Sequence, residues 1–364
     1  MSDLDQHFMR YALRLGRRGQ GLTWPNPSVG CVLVKEGRVV GLGVTAPSGR
    51  PHAEVIALTQ AQTQARGATA YVTLEPCAHH GHTPPCAQAL IDAGVARVVV
   101  ALGDPDPRVD GGGLALLRAA GITVEVGLCA AEAQDDHAGF LSRIEKGRPL
   151  VTLKLATSLD GRIATASGES QWITGPLARR FVHAERMRHD AVMVGAGTVR
   201  MDDPSLTVRD MGNVRQPVRI IVSRKLDVPY AAKLRQSIDQ APLWILYSEG
   251  APQERQNQWI AAGAVLIETP LRHGQVDMAA GLRALAAQGL TRVYCEGGGA
   301  LAATLLAEDL ADRVTLYSAG LILGAEGWPA IGAMGIDVLN EAPRFEQTDT
   351  QPLGPDTVRY LRRR

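Results

Sequence analysis

Short runs of aliphatic and β-branched residues alternate with helix-patterned segments along this chain, and such alternation calls for a layered α/β sheet. An amphipathic helix is predicted over 4–16, then strands over 29–35 and 38–44 with Glu36-Gly37 as their turn. A helix follows His52, a strand covers 69–74, and a helix runs over 85–93 until Gly94 stops it. Strand 95–102, helix 113–120 and strand 124–126 complete a first α/β pattern. Lys146-Gly-Arg-Pro149 reads as a short linker. A second pattern then begins, with strand 150–156, helix 178–188, and strands 191–194, 218–222, 243–247, 265–267 and 293–295. At 364 residues the chain exceeds what one hydrophobic core usually serves, so two domains are expected, 1–147 and 148–364.

Composition narrows the partners. Hydrophobic residues at 45% and charged residues at 21% are ordinary for a globular protein. No apolar run reaches the roughly 18 residues of a membrane span, and the polar first ten residues lack the apolar core of a secretion signal. Five scattered cysteines (Cys31, Cys77, Cys86, Cys129, Cys295) are poor material for a disulfide framework and point to a reducing cytoplasm. Residues 1–147 carry 13 Lys+Arg against 14 Asp+Glu, and the remainder 25 against 23, so neither half has the basic excess of a nucleic-acid binder. Aromatics at 4% argue against a stacking platform for single strands. The expected partner is a small molecule, with no nucleic acid and no membrane. Assembly into a homo-oligomer stays open.

Chemistry concentrates in Pro51-His52-Ala53-Glu54, Glu75-Pro76-Cys77 and Cys86. One imidazole and two thiolates leave a tetrahedral zinc with one position for water, and the metal lowers that water's pKa toward neutrality. Glu54, two residues from His52 and not itself a ligand, is placed to move protons. His52 and Cys86 each open a helix after a proline, where unpaired N–H groups favour a thiolate. A structural zinc would take four protein ligands, and His79, His80 and His82 could supply the fourth; the placement of Glu54 favours catalysis. Cys31, inside the apolar run 29–34, reads as core.

The pattern is similar to the H-x-E plus cysteine signature of zinc-dependent nucleobase deaminases, except that eight residues separate the two cysteines. The string Leu-Glu-Pro-Cys-Ala-His-His-Gly-His-Thr-Pro-Pro-Cys, with Pro25-Asn-Pro-Ser-Val-Gly30 upstream, resembles the bifunctional riboflavin-biosynthesis deaminase/reductase family. That resemblance covers nearly the whole chain. It implies a cytidine-deaminase-like layered domain in the first half, with Asn26 against the substrate base. The family usually has Lys or Arg where this chain has His82, a change that bears on how the ribose phosphate is held.

In the second half, Lys154-Leu-Ala-Thr-Ser-Leu-Asp-Gly-Arg-Ile163, Gly168-Glu-Ser-Gln-Trp-Ile-Thr174 and the run 193–209 resemble the same family's reductase domain, whose fold is similar to dihydrofolate reductase. Gly195 and Gly197 match part of a dinucleotide fingerprint, but Arg200 stands at its third glycine, so a Rossmann fold is not expected. Tyr294-Cys-Glu-Gly-Gly-Gly-Ala-Leu301 makes a better phosphate site, because a strand runs into three glycines and a helix start that offers N–H donors. The resemblance implies NADPH contacts from Ala156, Trp172, Thr198, Asp202 and Ser223, and from Gly298, Gly299, Ala300, Leu301, Ala302, Ala303 and Thr304. It implies substrate contacts from Ser170, Arg186, Leu206, Arg209 and Glu296. Arg186 and Arg209 suit a sugar phosphate, since guanidinium forks bind its oxygens bidentately. From the residues alone, Arg186 could be a solvated helix face and Trp172 plain core. Gly320 replaces a proline of the family, which alters loop stiffness. NADPH is expected to be favoured over NADH, with Thr198, Ser223 and Arg224 as candidates for the 2′-phosphate.

The resemblance thus implies two steps. The first is zinc-dependent hydrolytic deamination of 2,5-diamino-6-(5-phosphoribosylamino)pyrimidin-4(3H)-one. The second is NADPH-dependent reduction of the ribosyl group of 5-amino-6-(5-phosphoribosylamino)uracil to ribityl. A nucleic-acid deaminase is opposed by the near-neutral charge and the cysteine spacing. A binding module with a structural zinc is opposed by Glu54.

Overall fold

The computed structural model describes residues 2–78, 84–106 and 109–364. His79, His80 and His82, raised above as further metal donors, lie outside the described residues. The chain divides into two compact units, Met1–Gly147 and Arg148–Arg364.

The first unit runs α1 (Asp3–Arg17), β1 (Gly30–Lys35), β2 (Arg38–Val44), α2 (Ala53–Ala61), β3 (Thr69–Val72), α3 (Cys86–Asp92), β4 (Arg97–Val100), α4 (Gly112–Ala119), β5 (Thr123–Val126) and α5 (Ala130–Glu145). Its sheet has the order β2-β1-β3-β4-β5, with β1 antiparallel to both neighbours and β3, β4 and β5 parallel. Glu36 and Gly37 take φ of 50° and 77°, the conformation of a tight hairpin turn. Helices cover both faces, so β1 is buried almost throughout instead of alternating. Cys31 and Leu33 pack with Ala57, Leu90 and Leu117, while Val32 and Val34 pack with Phe8, Met9 and Leu13 of α1. Ser2 and Asp5 close a capping box that starts α1. Helix α5 has no counterpart in the sequence reading. Its entry residue, Cys129, holds a left-handed φ of 57° and makes no side-chain cap, so the usual start signal is missing. A Cβ on Gly43 would stand 1.9 Å from the Ala53 carbonyl oxygen, so only glycine lets β2 carry the first turn of α2 this closely.

The second unit runs β6 (Leu150–Thr157), β7 (Arg162–Ala164), α6 (Pro176–Met187), β8 (Ala191–Gly195), α7 (Ala196–Asp202), β9 (Val218–Val222), α8 (Lys233–Gln236), β10 (Leu243–Ser248), α9 (Gln253–Ala261) and β11 (Val265–Thr269). It continues with β12 (Leu271–Arg272), β13 (Gln275–Val276), α10 (Met278–Ala287), β14 (Arg292–Cys295), α11 (Gly299–Ala307), β15 (Arg313–Ser318), β16 (Trp328–Pro329), β17 (Phe345–Leu353) and β18 (Asp356–Arg363). Nine strands form one sheet in the order β11-β10-β9-β8-β14-β6-β15-β18-β17. Neighbours from β11 to β15 are parallel, and β18 and β17 add on antiparallel. The sequence reading assigns no strand after Cys295. Strand β17 hides because it is largely exposed and polar and ends in Pro352-Leu353, a composition that a sheet edge tolerates. The parallel strands β6, β14, β8 and β9 open their C-terminal ends on one edge, where open α/β sheets bind ligands. Among the described residues no helix is long and apolar enough to cross a membrane.

Candidate metal centre and cofactor site

His52 is the N-cap of α2, in extended backbone, and its side chain makes no cap bond, so the imidazole is available to other partners. Cys86 is the first residue of α3, after Pro85. Cys77 follows β3. Across these separations the donor atoms converge: His52 Nδ1 lies 3.1 Å from Cys86 Sγ and 3.6 Å from Cys77 Sγ. Metal–nitrogen and metal–sulfur bonds of about 2.0 and 2.3 Å give a tetrahedral N···S edge of about 3.5 Å, so the three donors are spaced for one zinc. The Cys86 N–H also donates to Cys77 Sγ at 3.3 Å. Bonding from the Cys86 thiol, and then from His52 and that N–H, outweighs burial and holds the Cys77 thiol down to about 4. The same contact pushes the Cys86 thiol up, since the two sulfurs share one proton until a metal takes its place. Glu54, only 3% exposed, occupies the first turn of α2. Burial pushes its carboxyl up to about 7, the range in which a group both takes and returns a proton near neutrality.

His52, Glu54 and Cys77 line a cavity of ≈ 230 Å³ together with Asn26, Arg50, Asp104 and Arg143. Asn26 Nδ2 reaches the Ser48 carbonyl oxygen at 3.5 Å. Glu75, given no role from sequence, accepts N–H bonds from Gly111, Gly113 and Leu114 at 3.2, 3.0 and 3.3 Å. It thereby pins the chain entering α4, downstream of Asp104. Its position two residues before Cys77, with a triple glycine at 111–113, was the available signal. Arg50 and Arg143 were also missed; no short motif marks either.

In the second unit, the residues expected at the cofactor gather at strand ends. Ala156 lies near the end of β6, Glu296 directly follows β14, Thr198 and Asp202 lie on α7 after β8, and Ser223 directly follows β9. Thr198 Oγ1 is 3.7 Å from where a Gly298 Cβ would stand, so the glycine turn and α7 border the same space. A Cβ on Gly299 would come within 3.0 Å of the Pro329 carbonyl oxygen, which keeps that position glycine. The run 298–304 divides within α11. The Ala302 N–H already donates to the Gly298 oxygen at 3.1 Å, and Ala302 and Ala303 are buried. The open donors therefore belong to the helix start, and these two alanines serve packing. Thr304 Oγ1 bonds the Ala300 oxygen at 3.1 Å.

Arg186 is neither an open phosphate fork nor a solvated face. It is 9% exposed, its Nε and Nη2 bond the Glu296 carboxylate at 2.5 and 3.1 Å, and its Nη1 donates to the Thr207 oxygen at 2.7 Å. The fork is thus closed on a carboxylate 110 residues away. Lys154, unassigned from sequence, brings Nζ to 3.8 Å from Glu296. Burial raises the Glu296 pKa, but the Arg186 and Lys154 charges outweigh it, so the carboxylate stays ionised. Arg209 is exposed, and among the described residues its guanidinium has no partner, so it is the open fork. Trp172 is 66% exposed under the Arg179 guanidinium, 4.6 Å from the ring centroid, which rules out plain core. Leu206 is buried, and Ser170 is half-buried. Ser223, 2% exposed, donates its hydroxyl to Asp227 Oδ1 at 2.8 Å, and Arg224 Nη1 is tied to the Gly274 oxygen at 2.7 Å.

Residues 149–359 match the RibD C-terminal domain, and residues 2–102 match the cytidine and deoxycytidylate deaminase zinc-binding region. The riboflavin biosynthesis protein RibD of Escherichia coli (strain K12) is 42% identical over 98% of this chain and 99% of its own. The chain belongs to the RibD family. The solved RibD of Acinetobacter baumannii is similar at a TM-score of 0.89 and 40% identity, covering 99% of both chains. The deaminase/reductase of Thermotoga maritima is similar at 0.86 and 34% identity, again over 99% of both. As in other RibD chains, a cytidine-deaminase-like α/β fold precedes a dihydrofolate-reductase-like one, and zinc and NADPH are the cofactors.

Proposed function

We propose that this chain carries out two consecutive steps of riboflavin biosynthesis, with hydrolytic deamination in residues 1–147 and ribosyl reduction in residues 148–364. The observation that carries the reading is the convergence of His52, Cys77 and Cys86, all within 4.8 Å of one another, beside a buried Glu54. Bound there, zinc supplies a Lewis acid that acidifies a water. Glu54 would take one proton from that water as its oxygen bonds the ring carbon bearing the 2-amino group, and pass it to the ring nitrogen; it would then move the second proton from the new hydroxyl to the amine. The carbon–nitrogen bond breaks as the carbonyl forms, and ammonia leaves. Asn26 holds the pyrimidine base, and Arg50 and Arg143 offer guanidinium donors to the phosphate.

In residues 148–364, bound NADPH would supply a hydride to the ribosyl C1; the bond from C1 to the ring oxygen breaks and that oxygen takes a proton, which gives ribityl. Ala156, Trp172, Thr198, Asp202 and the start of α11 hold the cofactor, with the phosphates at the free N–H groups after the glycines and Ser223 behind the end of β9 through its bond to Asp227. Ser170, Leu206, Arg209 and the Arg186–Glu296 pair hold the substrate. Arg209 takes the sugar phosphate, and Glu296 presents a fixed carboxylate to the sugar. The free cysteines fit a reducing cytoplasm.

Purified, zinc-loaded protein given the diaminopyrimidinone ribosylamine phosphate should release ammonia without NADPH and oxidise NADPH only after deamination. NADPH oxidation without ammonia release would overturn the order, and no ammonia at all would overturn the deaminase assignment.

A further inference from the structure

The sheet edge that gathers the cofactor residues also orders them. Strands β14, β8 and β9 are neighbours in that sequence and parallel. The glycine turn after β14 and Thr198 after β8 border the phosphate end of the dinucleotide. Its adenosine end then falls toward the end of β9, where Ser223 stands.

Asp227 sits at that end, four residues after Ser223 and bound to it twice. Ser223 Oγ donates to Asp227 Oδ1 at 2.8 Å and accepts the Asp227 N–H at 3.1 Å. The serine proton is therefore spent on a carboxylate and is not open to a phosphate. A lone carboxylate near a strand end suits a ribose diol and repels a 2′-phosphate. Here the carboxylate is answered by Arg200 of α7, whose Nη1 donates to Asp227 Oδ2 at 2.7 Å and to the Asp227 carbonyl oxygen at 3.1 Å. Arg200 is 45% exposed at its side chain, and its Nε and Nη2 have no partner among the described residues. The neighbouring guanidiniums are anchored away from Asp227, Arg224 Nη1 on the Gly274 oxygen at 2.7 Å and Arg255 Nη1 on the Lys225 oxygen at 3.1 Å.

We propose that Arg200, oriented by Asp227, reads the 2′-phosphate of NADPH and sets the preference over NADH. The inference rests on the reading that Thr198 and Ser223 border the dinucleotide. Asp227 occupies one guanidinium nitrogen and fixes the plane of the group, which leaves two nitrogens for phosphate oxygens. Ser223 acts through Asp227, as a brace, which gives a fully buried serine a part in a recognition it cannot perform itself.

Calorimetric titration of the full chain with 2′,5′-ADP and with 5′-ADP separates this role from turnover. Wild type should bind the 2′-phosphorylated nucleotide about tenfold or more tightly, the scale of one charge-assisted contact. Arg200→Ala should bring the two affinities to within about twofold, Arg200→Lys should restore part of the ratio, and Arg224→Ala should keep all of it. An undiminished ratio in Arg200→Ala, or a ratio lost in Arg224→Ala and kept in Arg200→Ala, overturns the proposal. Equal affinities in wild type overturn it while leaving the cleft in place. Binding of neither nucleotide removes the cleft itself.

Discussion

Glu54 and its glutamine isostere have the same shape, but only the acid can carry a proton between water and substrate. Glu54→Gln should therefore keep its zinc and lose about 10²–10⁴-fold in ammonia release. Zinc content and ammonia measured on the same sample check it, and near-normal turnover with full metal would sink the proton-shuttle role. Cys86→Ser removes one of three donors and should lower zinc occupancy, while NADPH oxidation on pre-deaminated substrate persists. Unchanged zinc affinity would mean the third donor lies elsewhere. A second residue, not among those lining the cavity, ties the first unit together. Asp5 accepts Arg97 at 2.7 and 3.2 Å and Tyr71 Oη at 2.7 Å. The Arg97 guanidinium outweighs burial and holds this carboxyl well below the usual carboxylate range. A depressed folded pKa stabilises fully above the unfolded value, near 3.9, and loses that contribution as pH falls toward the folded one. Asp5→Asn should cost about 1.5–3 kcal/mol at pH 7. The gap to wild type in denaturant titrations should shrink steadily below about pH 4; a gap independent of pH would contradict the pairing.

At the scale of elements, the metal centre depends on where α2 and α3 begin. Both starts are set by local chemistry, a proline followed directly by the ligand, and both are legible in the sequence. The depth of α2 against β2 is set by something less visible, the missing side chain at Gly43. Gly43→Ala places a methyl group against backbone that cannot yield, so it should destabilise by roughly 1–3 kcal/mol and lower deaminase activity by shifting His52 and Glu54. Thermal melting and ammonia release read both effects; an unchanged melting temperature would show that the helix can move away at no cost. Elements without local signals were lost to sequence reading. Helix α5 begins on a left-handed cysteine with no cap, and β17 is a polar edge strand.

Over the whole molecule, Arg148 bonds Asp312 at 2.6 and 2.8 Å, so it belongs to the second unit and to any fragment made from it. Residues 148–364 alone should fold and oxidise NADPH with the deaminated substrate. A soluble, folded fragment that does not bind NADPH would count against the proposed division. The sequence by itself determined the α/β alternation, the metal donors with their acid, and the glycine turn, because strand and helix periods, ligand chemistry and turn conformations are properties of a few adjacent residues. Only the tertiary structure decided which charges meet. Arg186 reads as a phosphate fork, with a solvated face as the lesser alternative, until β14 takes its place between β8 and β6 and delivers Glu296 to it. Glu75 with the chain entering α4, and Arg200 with Asp227, follow the same rule. A side chain's partner is chosen by the order in which the sheet assembles its strands, and that order is written in no local stretch of chain.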